Sequence, residues 1–296
     1  MFTPFIFWPC FLGLLFLIIG LIYSSREVAA ANGLEKLIAL AFVFVAAPLA
    51  TFAGEHLAGP KFLMELVPSY MPARLFWAYF VGFALLAAAL SLSVKKYVRW
   101  SAPLLAAMFF LFVLMMDLPA SITHPENRLF WTLTLRETAF GGGALALTGF
   151  IVQQTNQRLG KILISIARFC VGIPFVVYGI EYFLHPASAP GVPLEKQMPA
   201  WVPLPYLWTY LVGAILLVAG VAILLNMRAR TAAASVGLVM TLITLLLYTP
   251  ILAMATKPQI IEGVNYVADT LFFGGTVLFL ALAIRGNHAD SASHLQ

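Results

Sequence analysis

The sequence is dominated by a succession of runs, each close to 20 residues long, that carry almost no charge. About 20 apolar residues in a helix cross the roughly 30 Å of hydrocarbon in a bilayer. Nine such runs are legible, at about residues 4–23, 36–54, 75–93, 101–118, 132–152, 162–184, 206–225, 232–254 and 265–284. The charge supply fits this reading. Only 10% of the 296 residues are charged and 62% are hydrophobic, whereas a soluble fold carries about 25% charged residues. The sequence therefore predicts an all-α polytopic membrane protein with about nine transmembrane helices. Soluble, disordered and collagen-like classes are excluded.

Loop charges set an orientation. Met1-Phe2-Thr3-Pro4 has no basic side chain, whereas Arg26 follows the first apolar run. Val28-Ala29-Ala30-Ala31 resembles a cleavage site, but this charge order predicts an uncleaved anchor with its N-terminus outside. The inner segments then hold Arg26, Lys36, Lys95, Lys96, Arg99, Arg158, Lys161, Arg228, Arg230 and Arg285. The outer ones hold Lys61, Arg74, Arg128, Lys196 and Lys257, with Arg136 and Arg168 inside spans. Ten against five predicts a multi-pass cell-membrane protein, N-terminus outside and C-terminus inside. The net charge of +5 is accounted for by these loops and does not point to nucleic acid.

The two long outer loops match each other. Pro68, Pro72, Trp77, Tyr79, Val81, Gly82, Leu85 and Leu86 recur as Pro199, Pro203, Trp208, Tyr210, Val212, Gly213, Leu216 and Leu217, eight of 19 positions at an offset of 131. The same offset pairs Arg99 with Arg230 and Pro119 with Pro250. At 132, Glu137-Thr138 aligns with Asp269-Thr270 and Gly142-Gly143 with Gly274-Gly275; upstream, Glu55 aligns with Glu181. Shared apolar composition does not reproduce Pro, Trp, Tyr, Gly and acids in order. Four spans per unit return the chain to one side, so the two units run parallel. The predicted organisation is an N-terminal transmembrane anchor at 1–35 and two parallel four-helix-bundle repeats at 36–152 and 161–285. A polar joint at 153–160 links the repeats, and a polar tail at 286–296 ends the chain.

Each unit thus has four spans, a proline-aromatic outer loop, a Val-Gly helix start, a basic inner loop and a last helix with Gly-Gly. In these motifs it resembles the DoxX/DoxD-like membrane proteins, over nearly all the chain beyond residue 35. The resemblance implies a membrane redox component of the quinone-linked kind, such as a subunit of a quinone-reducing thiosulfate oxidoreductase, working with a soluble or membrane redox partner. Many members carry a Glu a few residues after the Val-Gly; here Gly82 and Gly213 are followed by Phe-Ala-Leu-Leu and Ala-Ile-Leu-Leu.

Ionisable residues within spans are costly and default to functional candidates. The candidate catalytic residues are Glu137, Asp269, Glu55 and Glu181, all toward the outer face, with His56 beside Glu55 and His185 four residues after Glu181. A carboxylate–imidazole pair on each outer rim is suited to proton transfer. The same acids also suit structural duty, near outer helix N-termini or neutralised by Arg136. Trp77, Trp208, Tyr79 and Tyr210 are candidates for stacking on a quinone head group, and equally for an interfacial belt. Cys10 and Cys170 form no C-x-x-C, and no histidine lies at the centre of a span, so no iron–sulfur cluster, haem or other metal is expected. Three functions stay open: a quinone-linked redox component or subunit, a small-solute or proton transporter, and an accessory or assembly protein embedded in the lipid bilayer.

Overall fold

The computed structural model describes residues 4–191 and 196–284. Arg285 and the polar tail at 286–296 lie outside the described residues. The chain runs through α1 (Pro4–Ala30), α2 (Glu35–Ala39), α3 (Ala41–Ala58) and α4 (Pro60–Leu63), then α5 (Arg74–Ser93) and α6 (Val98–Phe112). A π-helical turn, Val113–Asp117, carries α6 into α7 (Leu118–Thr123). Next come α8 (Arg128–Val152), α9 (Gln157–Leu184), α10 (Pro205–Leu224) and α11 (Ala229–Ile243). A second π-helical turn, Thr244–Tyr248, leads into α12 (Thr249–Ala253), and α13 (Ile260–Ala283) closes the described chain.

Eight of these rods are long and apolar enough to cross a membrane. The protein is an all-helical, multi-pass membrane protein. The ninth run read from the sequence is α8, whose 25 residues reach about 37 Å. Arg136, Glu137 and Gly141-Gly142-Gly143 lower its apolarity, and α8 is enclosed by other helices rather than by lipid.

The two halves share local geometry. Ala73 and Leu204 both take left-handed backbone angles (φ 53° and 50°) immediately before α5 and α10, as Tyr97 and Arg228 do (60° and 48°) before α6 and α11. Side chains tolerate that region poorly. Trp77 Nε1 donates to the Pro72 carbonyl at 3.1 Å, and Trp208 Nε1 to that of Pro203 at 3.0 Å. α3 and α9 each carry an internal proline, Pro48 and Pro174, and end alike: Gly59 N–H donates to the Glu55 carbonyl and His185 N–H to that of Glu181, both at 2.8 Å.

The packing interleaves the halves. α8 and α13 lie against each other at the centre; α13 also packs on α3, and α8 on α9. Outside this layer α5 covers α3, α6 covers α8, α10 covers α9, α11 covers α13, and α1 lines α3 and α5. The two predicted bundles are therefore not separate bodies: each half buries its first and last helices against the other half. Gly142 faces Cys170 and Val171 on α9, while Gly275 faces Phe44 and Val45 on α3. Gly142 and Gly275 thus serve alike, as close contacts with α9 and α3, and Arg136 stands opposite Asp269.

The central approach depends on a missing side chain. A β-carbon on Gly143 would lie 2.8 Å from the Thr276 carbonyl oxygen and 2.9 Å from its α-carbon. Backbone cannot yield as a flexible side chain does. Gly143→Val is expected to cost about 1–3 kcal/mol, read as a lower thermal midpoint in detergent. Ala107→Val on the exposed face of α6 should leave the midpoint unchanged.

Candidate functional site

The last helix of each half carries the buried charges. Arg136, Phe140 and Gly143 are spaced four and three residues apart and so share one face of α8. They meet Asp269, Phe272 with Phe273, and Thr276 on α13. Arg136 Nη1 donates to Asp269 Oδ2 at 2.9 Å and Nη2 donates to Glu137 Oε1 at 2.8 Å. The guanidinium also lies over the Phe140 ring, 5.9 Å from its centroid. Glu137 and Asp269, read from the sequence as matched acids, are thus drawn to one cation. They retain 9% and 6% of their exposure. Arg136 is the residue that sequence reasoning missed as a site member. Its signal was an arginine next to a glutamate within an apolar run, but its second partner lies 133 residues away.

Acids outnumber cations here. Glu55, in the last turn of α3, is 7% exposed, forms no ion pair among the described residues and lies within electrostatic reach of Asp269. The negative end of the α3 dipole adds to the cost of an anion there. Buried atoms without a hydrogen-bond partner cluster here: Glu55 Oε1, Glu137 Oε2 and Arg136 Nε. Each such group costs about 1–3 kcal/mol if left unpaired. Asp117 and Tyr248, the last residues of the two π-helical turns, contribute an unpartnered Oδ2 and hydroxyl. Asp117 is within electrostatic reach of Arg136 and Glu137, and Tyr248 of Asp269. π-helical turns recur at functional sites because they re-aim side chains and free backbone groups.

An aromatic layer closes the centre on the side of the joint at 153–160. Phe140 stacks on Phe272 with centroids 4.1 Å apart, and Phe109 and Phe175 pack around them against Phe272 and Phe273. Tyr178, fully buried, lies beside the charges and donates to the Thr132 carbonyl at 2.7 Å.

The other sequence candidates separate from this centre. His56 Nδ1 donates to the Phe52 carbonyl at 2.9 Å, and no ion pair joins it to Glu55. Residues adjacent on a helix point about 100° apart, so the expected Glu55–His56 pair does not form. On the second half the pair does form: Glu181 Oε2 lies 3.6 Å from His185 Nε2 and 3.7 Å from Arg128 Nε. His185 and Arg128 line a cleft of about 590 Å³ with Ser188, Gln197 and Tyr206. Trp77, Trp208, Tyr79 and Tyr210 stand at the molecular surface, the last three 40–46% exposed. Both indole N–H groups are already used internally. Arg168 donates to the Ile223 and Leu224 carbonyls at the end of α10, at 3.1 and 3.0 Å. Among the described residues, no cluster of three or more His, Cys, Asp or Glu could hold a metal ion.

α9 to α11, with the π-helical turn that follows, coincide with a known family. Residues 163–249 match the family model for DoxX. That segment is a DoxX domain. Residues 45–130, from within α3 to the start of α8, match a domain of unknown function, DUF8561. No curated protein and no solved structure matches the chain. The Arg136 ion pairs lie outside both matches, Arg136 and Glu137 between them on α8 and Asp269 after them on α13, while Glu55 falls inside the DUF8561 domain.

The centre yields a stability test. Arg136→Met leaves two buried carboxylates without their cation and is expected to cost about 3–5 kcal/mol. Adding Glu137→Gln and Asp269→Asn to Arg136→Met should recover most of that loss. Thermal unfolding of the three forms in one detergent measures both effects.

Proposed function

We propose that this DoxX-domain protein is the membrane component of a quinone-linked redox system, and that protons are exchanged at the Arg136 centre. The observation that carries this reading is the surplus of buried acids: Glu137 and Asp269 share one guanidinium, Glu55 stands near Asp269 outside that pairing, and Glu55 Oε1 and Glu137 Oε2 are left unpartnered. Such a surplus is met by protons or by a cationic ligand, because unpaired charge is expensive away from water. A quinone taking two electrons from a separate redox partner also takes two protons, which is the service such acids can perform. The DoxX domain supports the redox side of the proposal. Glu137, Asp269 and Glu55 are the proton-exchanging groups, and Arg136 orients two of them. Glu181 and His185 form a more exposed acid–imidazole pair at the same end of the molecule. The exposed Trp and Tyr residues serve as an interfacial belt.

We further propose that the two halves are duplicated units, supported by their shared caps, π-helical turns and left-handed residues. The end bearing Lys95, Lys96, Arg158, Arg228 and Arg230 is taken to face inward. A transporter of protons or a small solute is the second reading, favoured by matched halves meeting at a charged centre.

The redox reading predicts that organic extracts of the purified protein contain quinone near one per chain. The Glu137→Gln/Asp269→Asn variant should retain about tenfold less, equivalent to about 1.4 kcal/mol. Extracts without quinone count against it. Dissipation of an imposed pH gradient by proteoliposomes, abolished in the same variant, selects the transporter instead.

A further inference from the structure

The ends of α8, α10 and α13 and the start of α9 enclose a second cleft, at the opposite end from the long proline-aromatic loops. Its volume is about 460 Å³, and it is lined by Gln153, Gln154, Gln157, Lys161, Ser165, Arg168 and Asn226, with Ile164, Ala283 and Ile284 as an apolar floor. Gln157, Lys161, Ser165 and Arg168 recur every three or four residues and so form one face of α9. We propose that this cleft binds a phosphate-bearing anion, with the phosphate between Lys161 and Arg168 and the side-chain amides around it.

The argument rests on charge, polarity and preorganisation. The lining carries two cations and no acid. The acids of this end among the described residues are committed elsewhere: Glu27 to Lys95 at 2.5 Å, and Glu35 to Arg230 at 2.5 and 2.7 Å. Lys161 forms no ion pair among the described residues. Arg168 is fixed by Nε and Nη2 on the α10 carbonyls, so its charge is already in place when a ligand arrives. Three glutamines, one asparagine and one serine around two cations supply donors that a phosphate group accepts and a hydrocarbon chain cannot use. The apolar floor at Ile164 and Ile284 would meet the glycerol and first methylenes of a phospholipid. Basic pockets between helices at the membrane surface take lipid head groups on these grounds. A phospholipid head group and free phosphate share this chemistry.

Native mass spectrometry of the full chain, exchanged into detergent with phosphatidylglycerol or phosphatidylcholine, tests the proposal. Wild-type protein is expected to retain one phosphatidylglycerol, about tenfold more than phosphatidylcholine. Lys161→Glu/Gln157→Glu should lose that preference, and Lys96→Glu, exposed at the same end but outside the cleft, should keep it. In the second arm, inorganic phosphate is added to delipidated protein and the thermal midpoint is read. A rise in wild type but not in the double variant, without phosphatidylglycerol retention, identifies free phosphate as the source. If neither lipid nor phosphate separates wild type from the double variant, and the variant unfolds at the wild-type midpoint, the proposal is overturned. If the double variant is destabilised, Lys161→Gln alone replaces it under the same criteria.

Discussion

A single guanidinium, held between a carboxylate on its own helix and one contributed by the other half of the chain, fixes how the two halves meet. Arg136 and Asp269 sit opposite each other on α8 and α13, and the face that carries them continues through Phe140 and Gly143 against Phe272, Phe273 and Thr276. A helix pair with this contact has one register. A shift of one residue would rotate Arg136 by about 100° and leave three buried charges to separate fates. The close glycine contact below and the aromatic stack between are then consequences of the same register. Because α13 also packs on α3 and α8 on α9, the register propagates to every central helix.

Most of the helical order was legible in the sequence because hydropathy reports on the solvent, and lipid is a demanding one. The spans, the basic loops and the offset of 131 all follow from properties that each residue carries alone. What was not legible depends on partners distant in sequence. Arg136 reads as a cation available to these acids, but only the packing of α13 shows that it holds Glu137 and Asp269 together. Glu55 and His56 read as a pair because they are neighbours in sequence, yet the helix turns them apart. Glu137 and Asp269 read as matched acids, yet that match does not show that one guanidinium holds both. The exposed aromatics illustrate the converse: Trp and Tyr after a proline turn have the same sequence signature whether they enclose a ligand or face head groups.

The halves are alike in backbone but not in chemistry. The π-helical turns occupy matching places, yet one ends in Asp117 and the other in Tyr248. The half with Asp117 also supplies Arg136, and the half with Tyr248 supplies Asp269 and a tyrosine-rich surround of Tyr178, Tyr182 and Tyr266. Two similar scaffolds have thus been given complementary charges, which is what a contact between unlike halves requires. A strictly repeated arginine would have placed two cations together, and a strictly repeated acid would have left none.

The position of the centre along the helices bears on what it can do. Arg136 lies eight residues into α8 and Asp269 nine residues into α13, about 12–14 Å from those helix starts. Glu55, Asp117 and Tyr248 all approach from the same end. On the other side stand Phe109, Phe140, Phe175, Phe272 and Phe273, whose rings offer a proton neither donor nor acceptor. A carrier of protons through the membrane needs exchangeable groups on both sides of such a layer, or a motion that moves the layer aside. A component that supplies protons to a lipid-soluble substrate needs them on one side only. For the function proposed above, the one-sided placement of these acids suits the second arrangement, in which the aromatic layer would be the barrier.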